Sequence, residues 1–197
     1  GVFPINDSAT ISIQGTVNAL GDIRLHGGRV ITGGSLQAGQ GRASAQLGFE
    51  DIVNTEGLES GVKVVERDGE ILILGSSDVG ISGELVADGA PGRAAGAIAV
   101  RAGRDLSLNP GARVSASGRG DDSDGGRIDL LAGRDARLSA GATVAARGGL
   151  TGDGGAIEFS AERKVTLAGG GFDVRAPGGR GGAVLIDPLV IEATTAG

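Results

Sequence analysis

The sequence predicts an all-β repeat protein, a β-solenoid with three short strands per coil, and three observations predict it. A glycine followed by an alternating apolar run occurs four times: Gly96-Ala-Ile98-Ala-Val100-Arg-Ala102, Gly126-Arg-Ile128-Asp-Leu130-Leu-Ala132, Gly155-Ala-Ile157-Glu-Phe159-Ser-Ala161 and Gly182-Ala-Val184-Leu-Ile186-Asp-Pro188. The opening glycines stand 30, 29 and 27 residues apart. A second run follows in three copies (Leu106-x-Leu108, Ala136-x-Leu138, Val165-x-Leu167), and a third closes each copy (Val114-x-Ala116, Val144-x-Ala146, Val174-x-Ala176). Short strands recurring at this period are the mark of stacked coils.

Alternation with period two places Ile, Val, Leu and Ala on one face of each strand. A single coil cannot bury that face, but coils stacked in parallel lay Ile98, Ile128, Ile157 and Val184 above one another, about 4.8 Å apart. Glycines gather at the corners, where the chain needs positive φ or close backbone approach.

Composition agrees. Forty glycines in 197 residues without a Gly-X-Y period exclude collagen, and 40% apolar content excludes general disorder. Four phenylalanines are the only aromatics, fewer than a sandwich or α/β core normally uses, whereas a narrow lumen fills with aliphatic side chains. There is no cysteine, so no disulfide supports the fold. The net charge is −6, with 16 Arg and 2 Lys scattered among 24 carboxylates. That pattern excludes nucleic acid as the expected partner. No run of about 18 apolar residues occurs, so none spans a membrane as a helix. The absence of any methionine and of a signal peptide suggests a mature chain or an excised fragment.

Along the chain, residues 1–40 form a start of shorter coils, with Ile11-x-Ile13, Val17-x-Ala19, Ile23-x-Leu25, Val30 and Leu36-x-Ala38. Val17 and Leu36 are 19 residues apart. Residues 41–68 break the pattern and read as an irregular coil or hairpin insertion. Regular coils occupy 69–191, with Val79-x-Ile81 and Leu85-x-Ala87 completing the coil opened at Gly69-Glu-Ile71. Residues 192–197 read as a tail or a link to a longer chain, and Pro188 suits a strand edge where the stack stops. Neither terminus has a capping helix, which suggests a piece of a longer rod or one continued by partner units. The corner from Gly118 to Gly126 is polar and is expected to protrude.

Three stretches carry a resemblance to a known family. Val53-Asn-Thr-Glu-Gly-Leu58, with Val64-Val-Glu-Arg-Asp-Gly-Glu-Ile-Leu-Ile73, resembles the coils of filamentous haemagglutinin-type two-partner secretion exoproteins. Ala102-Gly-Arg-Asp-Leu106 and Ala132-Gly-Arg-Asp135 resemble that family's recurrent step, and Ala176-Pro-Gly-Gly-Arg-Gly-Gly-Ala-Val-Leu-Ile-Asp-Pro188 resembles the close of its solenoid. The resemblance covers most of residues 9–191. It implies a right-handed parallel β-helix and a secreted or surface-displayed rod. It further implies export through an outer-membrane transporter partner, and adhesion or biofilm formation on a host receptor, glycan or matrix polysaccharide. The Asn-Pro-Asn-Gly type motif of the family's secretion domain is absent, so residues 1–40 correspond at most to that domain's tail.

Several residues are candidate sites. Arg119-Gly120-Asp121 has the form of an integrin-binding tripeptide in an exposed corner, although a chain this rich in Arg, Gly and Asp produces such triplets by composition. Asp121, Asp122 and Asp124 could gather Ca²⁺, but their spacing matches no calcium loop and equally describes a solvated turn. Asp129 and Glu158 share an outward position in successive coils, with Arg101 nearby. They would be the acid/base pair of a polysaccharide-active enzyme, although outward positions are polar in any solenoid. Arg104-Asp105 and Arg134-Asp135 recur at equivalent corners and read as structural charge ladders. His26, the single histidine, has no partner at motif spacing. Phe159 and Phe172 are expected in the lumen. No motif calls for a cofactor, and the glycine run Gly169-Gly170-Gly171 is no phosphate loop. The sequence thus favours a non-enzymatic adhesive rod, with self-association through open coil edges as an alternative and carbohydrate chemistry as another.

Overall fold

The structure is a computed structural model that describes residues 10–19, 23–27, 29–32, 35–38 and 68–194. The described residues form nineteen strands and no helix. The first five are β1 (Thr10–Ile13), β2 (Thr16–Ala19), β3 (Ile23–Gly27), β4 (Arg29–Thr32) and β5 (Ser35–Ala38). Next come β6 (Asp68–Gly75), β7 (Val79–Ile81), β8 (Glu84–Val86), β9 (Ala95–Ala102), β10 (Asp105–Leu108) and β11 (Arg113–Ser115). They are followed by β12 (Arg127–Ala132), β13 (Asp135–Leu138), β14 (Thr143–Ala145), β15 (Ala156–Ala161) and β16 (Lys164–Ala168). The last are β17 (Gly171–Asp173), β18 (Ala183–Leu185) and β19 (Val190–Thr194).

Every third strand pairs in parallel. The first sheet runs β1-β4-β7-β10-β13-β16-β19, the second β17-β14-β11-β8-β5-β2 and the third β18-β15-β12-β9-β6-β3. The chain visits the sheets in rotation, so the molecule is a parallel β-solenoid with three strands per coil.

The register follows the apolar pattern. Ile71, Ile98, Ile128, Ile157 and Val184 form one column. Val79, Leu106, Ala136 and Val165 form a second, and Leu36, Leu85, Val114 and Val144 a third. All of these except Val184 are buried, and together they form a single core. Strand β6 pairs with β3, and β7 with β4, so the stack is continuous from the 19-residue coils to the longer ones. The expected insertion at 41–68 lies almost wholly outside the described residues.

Two expectations are corrected. The third run of the last coil is Gly171–Asp173, with Phe172 rather than Val174 paired to Val144. The turn before it is one residue shorter than its predecessors: Leu167 to Phe172 spans five positions, whereas Leu138 to Val144 spans six. This brings Phe172 against buried Phe159, with ring centroids 5.7 Å apart and planes tilted by 54°, within the centroid spacing aromatic pairs favour. The stack also does not stop at Pro188, because β19 pairs with β16 as far as Thr194.

The opening glycines have a specific cause. None of Gly96, Gly126, Gly155 and Gly182 has positive φ. A Cβ on Gly126 would strike the carbonyl of Gly96, one on Gly155 that of Gly126, and one on Gly182 that of Gly155. A side chain at any of these positions would force the coils apart. The turns between the first and second sheets use the other property of glycine. In Asn109-Pro110-Gly111-Ala112, Gly111 has φ 80° and the Ala112 N–H donates to the Asn109 carbonyl, the geometry of a type II turn with Pro at its second position.

Two variants test this packing. Gly126→Ala is expected to destabilise the chain by about 2 kcal/mol, while Gly171→Ala, with nothing within 4 Å of the added Cβ, leaves thermal unfolding nearly unchanged. Phe159→Ala is expected to cost about 3–5 kcal/mol, read as a lowered urea midpoint.

Candidate functional site

The longest connections join the second sheet to the third, at residues 87–94, 116–126, 146–155 and 174–182. Each closes on itself through one backbone bond: Gly96 to Ala87, Gly126 to Ala116, Gly155 to Ala146 and Gly182 to Val174. They also bond to one another. Gly149 donates to the Ser123 carbonyl and Leu150 to that of Gly120, while Ser123 is fully buried and its hydroxyl donates to the Arg119 carbonyl at 2.8 Å. The 118–126 corner therefore does not protrude as expected. It lies as one rung in a ladder of stacked loops.

This placement gives the tripeptide a structural setting. Arg119 donates to Asp88 at 2.8 Å, Gly120 has φ 80° and packs on Pro91, and Asp121 is exposed. Of the other acidic residues, Asp122 has φ 50° and its N–H donates to the Thr151 hydroxyl. Asp124 accepts the N–H of Asp153 at 2.8 Å, and Asp153 in turn accepts the N–H of Arg180 at 2.7 Å together with its guanidinium. Asp124 and Asp153 thus clasp the next coil. Among the described residues, no three acidic or histidine side chains gather as a metal site.

Asp129 and Glu158 are in register on the outer face of the third sheet. Arg127 lies across both, 2.8 Å from Asp129 and 3.7 Å from Glu158. Its hydrogen bond to Asp129 is the main cause of a guanidinium pKa held above its ordinary value. Arg101 sits one strand back and two residues further along, in register with Leu131. Arg101 Nε and Asp129 Oδ1 are buried without a hydrogen-bond partner. The three proposed catalytic residues therefore share a face, and Arg127 bridges the two carboxylates there. His26 is in β3, paired with Leu74.

The expected Arg–Asp ladder connects coils and is longer than the repeated motif suggests. Arg134 binds Asp105 through two nitrogens, Arg163 binds Asp135 in the same way, and Arg104 approaches Asp78 at 3.8 Å. Arg163 and Asp78 lie outside the Ala-Gly-Arg-Asp repeats, and only the coil spacing points to them.

A feature the motifs did not reveal is an open cleft of about 530 Å³ on the last corner, lined by Arg147, Gly148, Arg175, Ala176, Pro177 and Gly181. Ala146 N–H bonds to the Asp173 carbonyl and Gly148 N–H to that of Arg175, which sets Arg147 beside Arg175. Asp173 receives both guanidiniums: Arg147 Nε at 2.6 Å, Arg175 Nε at 2.9 Å and Arg175 Nη2 at 2.7 Å. The Arg175 hydrogen bond foremost, with Arg147 adding to it, holds the Asp173 carboxyl far below the usual carboxylate range. The 28-residue interval between Arg147 and Arg175 was the available sequence signal.

The fold defines a class, the parallel β-solenoid repeat proteins. No family model, curated protein or solved structure matches the chain. Among the described residues, no helix is long and apolar enough to cross a membrane.

Acid sensitivity follows from the ladders. Asp135 is held low chiefly by its hydrogen bond from Arg163, Asp153 by the backbone and side chain of Arg180, and Asp173 by Arg175. A depressed folded pKa stabilises the fold above the unfolded value of about 3.9 and loses that contribution as pH falls through the folded pKa. The thermal midpoint should therefore be level above about pH 5 and fall from about pH 4 downward. Asp173→Asn should start lower at neutral pH and fall less. A midpoint level to pH 2 in the unaltered chain would refute this.

Proposed function

We propose that the chain is a rod-forming segment of a secreted or surface-displayed bacterial adhesin that attaches to host or matrix material. The observation that carries this reading is the coil ladder itself. Asp88, Asp105, Asp124, Asp135 and Asp153 each bind a group on the next coil, so these carboxylates stiffen the stack along its axis. A stack built this way gains length by adding coils and displays its corners and flanks repeatedly, as an extended binding surface requires. The Arg127 bridge across Asp129 and Glu158 supports a non-enzymatic reading. The resemblance to filamentous haemagglutinin-type exoproteins supports export through an outer-membrane transporter partner.

A second reading, self-association into filaments, is favoured by one observation. Val184, Leu185, Leu189, Val190 and Ile191 are all exposed, on or beside β18 and β19, which form the unpaired margins of two sheets. An exposed apolar strand margin is a template for another chain.

The test is attachment of the purified chain to arrays of glycans and matrix proteins, with electron micrographs across a concentration series. Attachment is expected, and it should persist in Asp121→Ala because Arg119 is already engaged by Asp88. Loss of attachment in that variant would assign the contact to the tripeptide corner. No attachment to any array element would overturn the adhesive reading, and concentration-dependent filaments would then support the second.

A further inference from the structure

Arg147 and Arg175 pair outward-facing guanidiniums on adjacent coils of a chain whose net charge is −6. Two cations against one carboxylate leave a local excess of one positive charge. Stacked like charges repel, and nothing in the coil packing requires them. In the preceding coils the same column carries Asp88 and then Ser117, because Gly89 donates to the Ser117 carbonyl and Gly118 to the Arg147 carbonyl. Asp88 is itself closed off by Arg119 and by the Ser117 N–H. The column thus changes from a filled polar contact to a pair of arginines where the cleft opens.

Asp173 fixes how the two arginines present themselves. Arg175 meets it with Nε and Nη2. Arg147 meets it with Nε alone, and the two terminal nitrogens of Arg147 have no acceptor among the described residues. A guanidinium anchored through Nε keeps a planar fork of N–H donors, the geometry that receives a carboxylate through two parallel bonds. Both side chains are accessible, at 54% and 80% exposure. The deeply lowered pKa of Asp173 keeps this anchor charged across ordinary pH.

The walls narrow the ligand class. Gly148 and Gly181 carry no side chain, Ala176 carries only a methyl, and exposed Pro177 adds a small apolar ring. No deep apolar pocket is offered for the aromatic or aliphatic anchor on which peptide binding concentrates its energy. A volume of about 530 Å³ lies in the range of small-ligand sites.

We propose that the Arg147–Arg175 cleft binds the carboxylate of an acidic sugar residue, with Arg147 as the bidentate contact and Asp173 as the residue that positions it. The proposal rests on the adhesive reading above and names a ligand class and a place for it.

The experiment is calorimetric titration of the intact chain with a short oligogalacturonate, its methyl ester and a short polyglutamate peptide. The oligogalacturonate is expected to bind and the ester to lose binding. Arg147→Gln should weaken affinity at least about tenfold, and Arg147→Lys nearly as much, because an ammonium keeps the charge without the fork. Arg113→Gln, an exposed arginine elsewhere on the second sheet, should bind normally. Circular dichroism shows whether each variant is folded, and Arg147→Lys keeps the test decisive should Arg147→Gln unfold. Equal binding of acid and ester, unchanged binding in both Arg147 variants, tighter binding of polyglutamate, or no binding would each overturn the proposal. Array attachment of the unaltered chain without oligogalacturonate binding would overturn the cleft and leave the adhesive reading standing. Absence of array attachment in the unaltered chain would overturn the adhesive reading itself.

Discussion

The close approach of successive coils is the constraint on which this molecule depends. Parallel strands must lie at hydrogen-bonding distance in three sheets at once, and the corners must stack at the same spacing. The column Gly96, Gly126, Gly155 and Gly182 marks where this is hardest. There the carbonyl of one coil occupies the space a side chain of the next would need. The alternating Ile, Val and Leu columns supply the apolar burial that drives stacking. They can align only because the corner backbone has been stripped of side chains where it meets its neighbour.

With the spacing set, the charged residues have a limited set of partners. An outward carboxylate in one coil lies one strand spacing from its counterpart, so identical residues in a column would repel. The chain resolves this by offset. Asp105 meets Arg134 and Asp135 meets Arg163, while Asp124 and Asp153 each accept a backbone N–H from the coil above. Single exposed pairs of this kind contribute little, under about 1 kcal/mol each. Their repetition along an axis reinforces the register that the strand pairing and apolar columns set, and that register decides which side chains share a flank.

Much of the fold was legible because it is periodic. Ile98, Ile128 and Ile157 repeat with the opening glycine, and one coil interprets the next. The last coil was misread for a local reason. Val174-x-Ala176 imitates the earlier Val-x-Ala endings, yet the shortened turn at Gly169-Gly170 brings Phe172 into the column. Burial of a ring beside Phe159 outweighs resemblance of sequence. The stacked corner at 118–126 was misjudged because polar composition describes a protruding loop and an interlocked one alike. Only the three-dimensional neighbours of Ser123 and Gly149 distinguish them. The site residues were less legible still. Arg101, Asp129 and Glu158 were found by position, but the bridging role of Arg127 depends on side-chain geometry that no spacing encodes. The cleft is weakly marked in the sequence because its arginines belong to no repeated motif.

In a solenoid, a residue that recurs in register is explained by stacking, since every coil meets the same packing problem. A residue that departs from its column needs another cause. Phe172 departs and is explained by the lumen. Asp88 and Ser117 are explained by the hydrogen bonds they close between coils. Arg147 and Arg175 depart together, place like charges side by side, and are held there by a carboxylate that occupies only part of their donor set. Stacking does not require that arrangement and is opposed by it. The coil that breaks the repeat in its turn length, its aromatic pair and its charge column is also the coil that opens a cleft, so the site lies where the periodic constraint is relaxed.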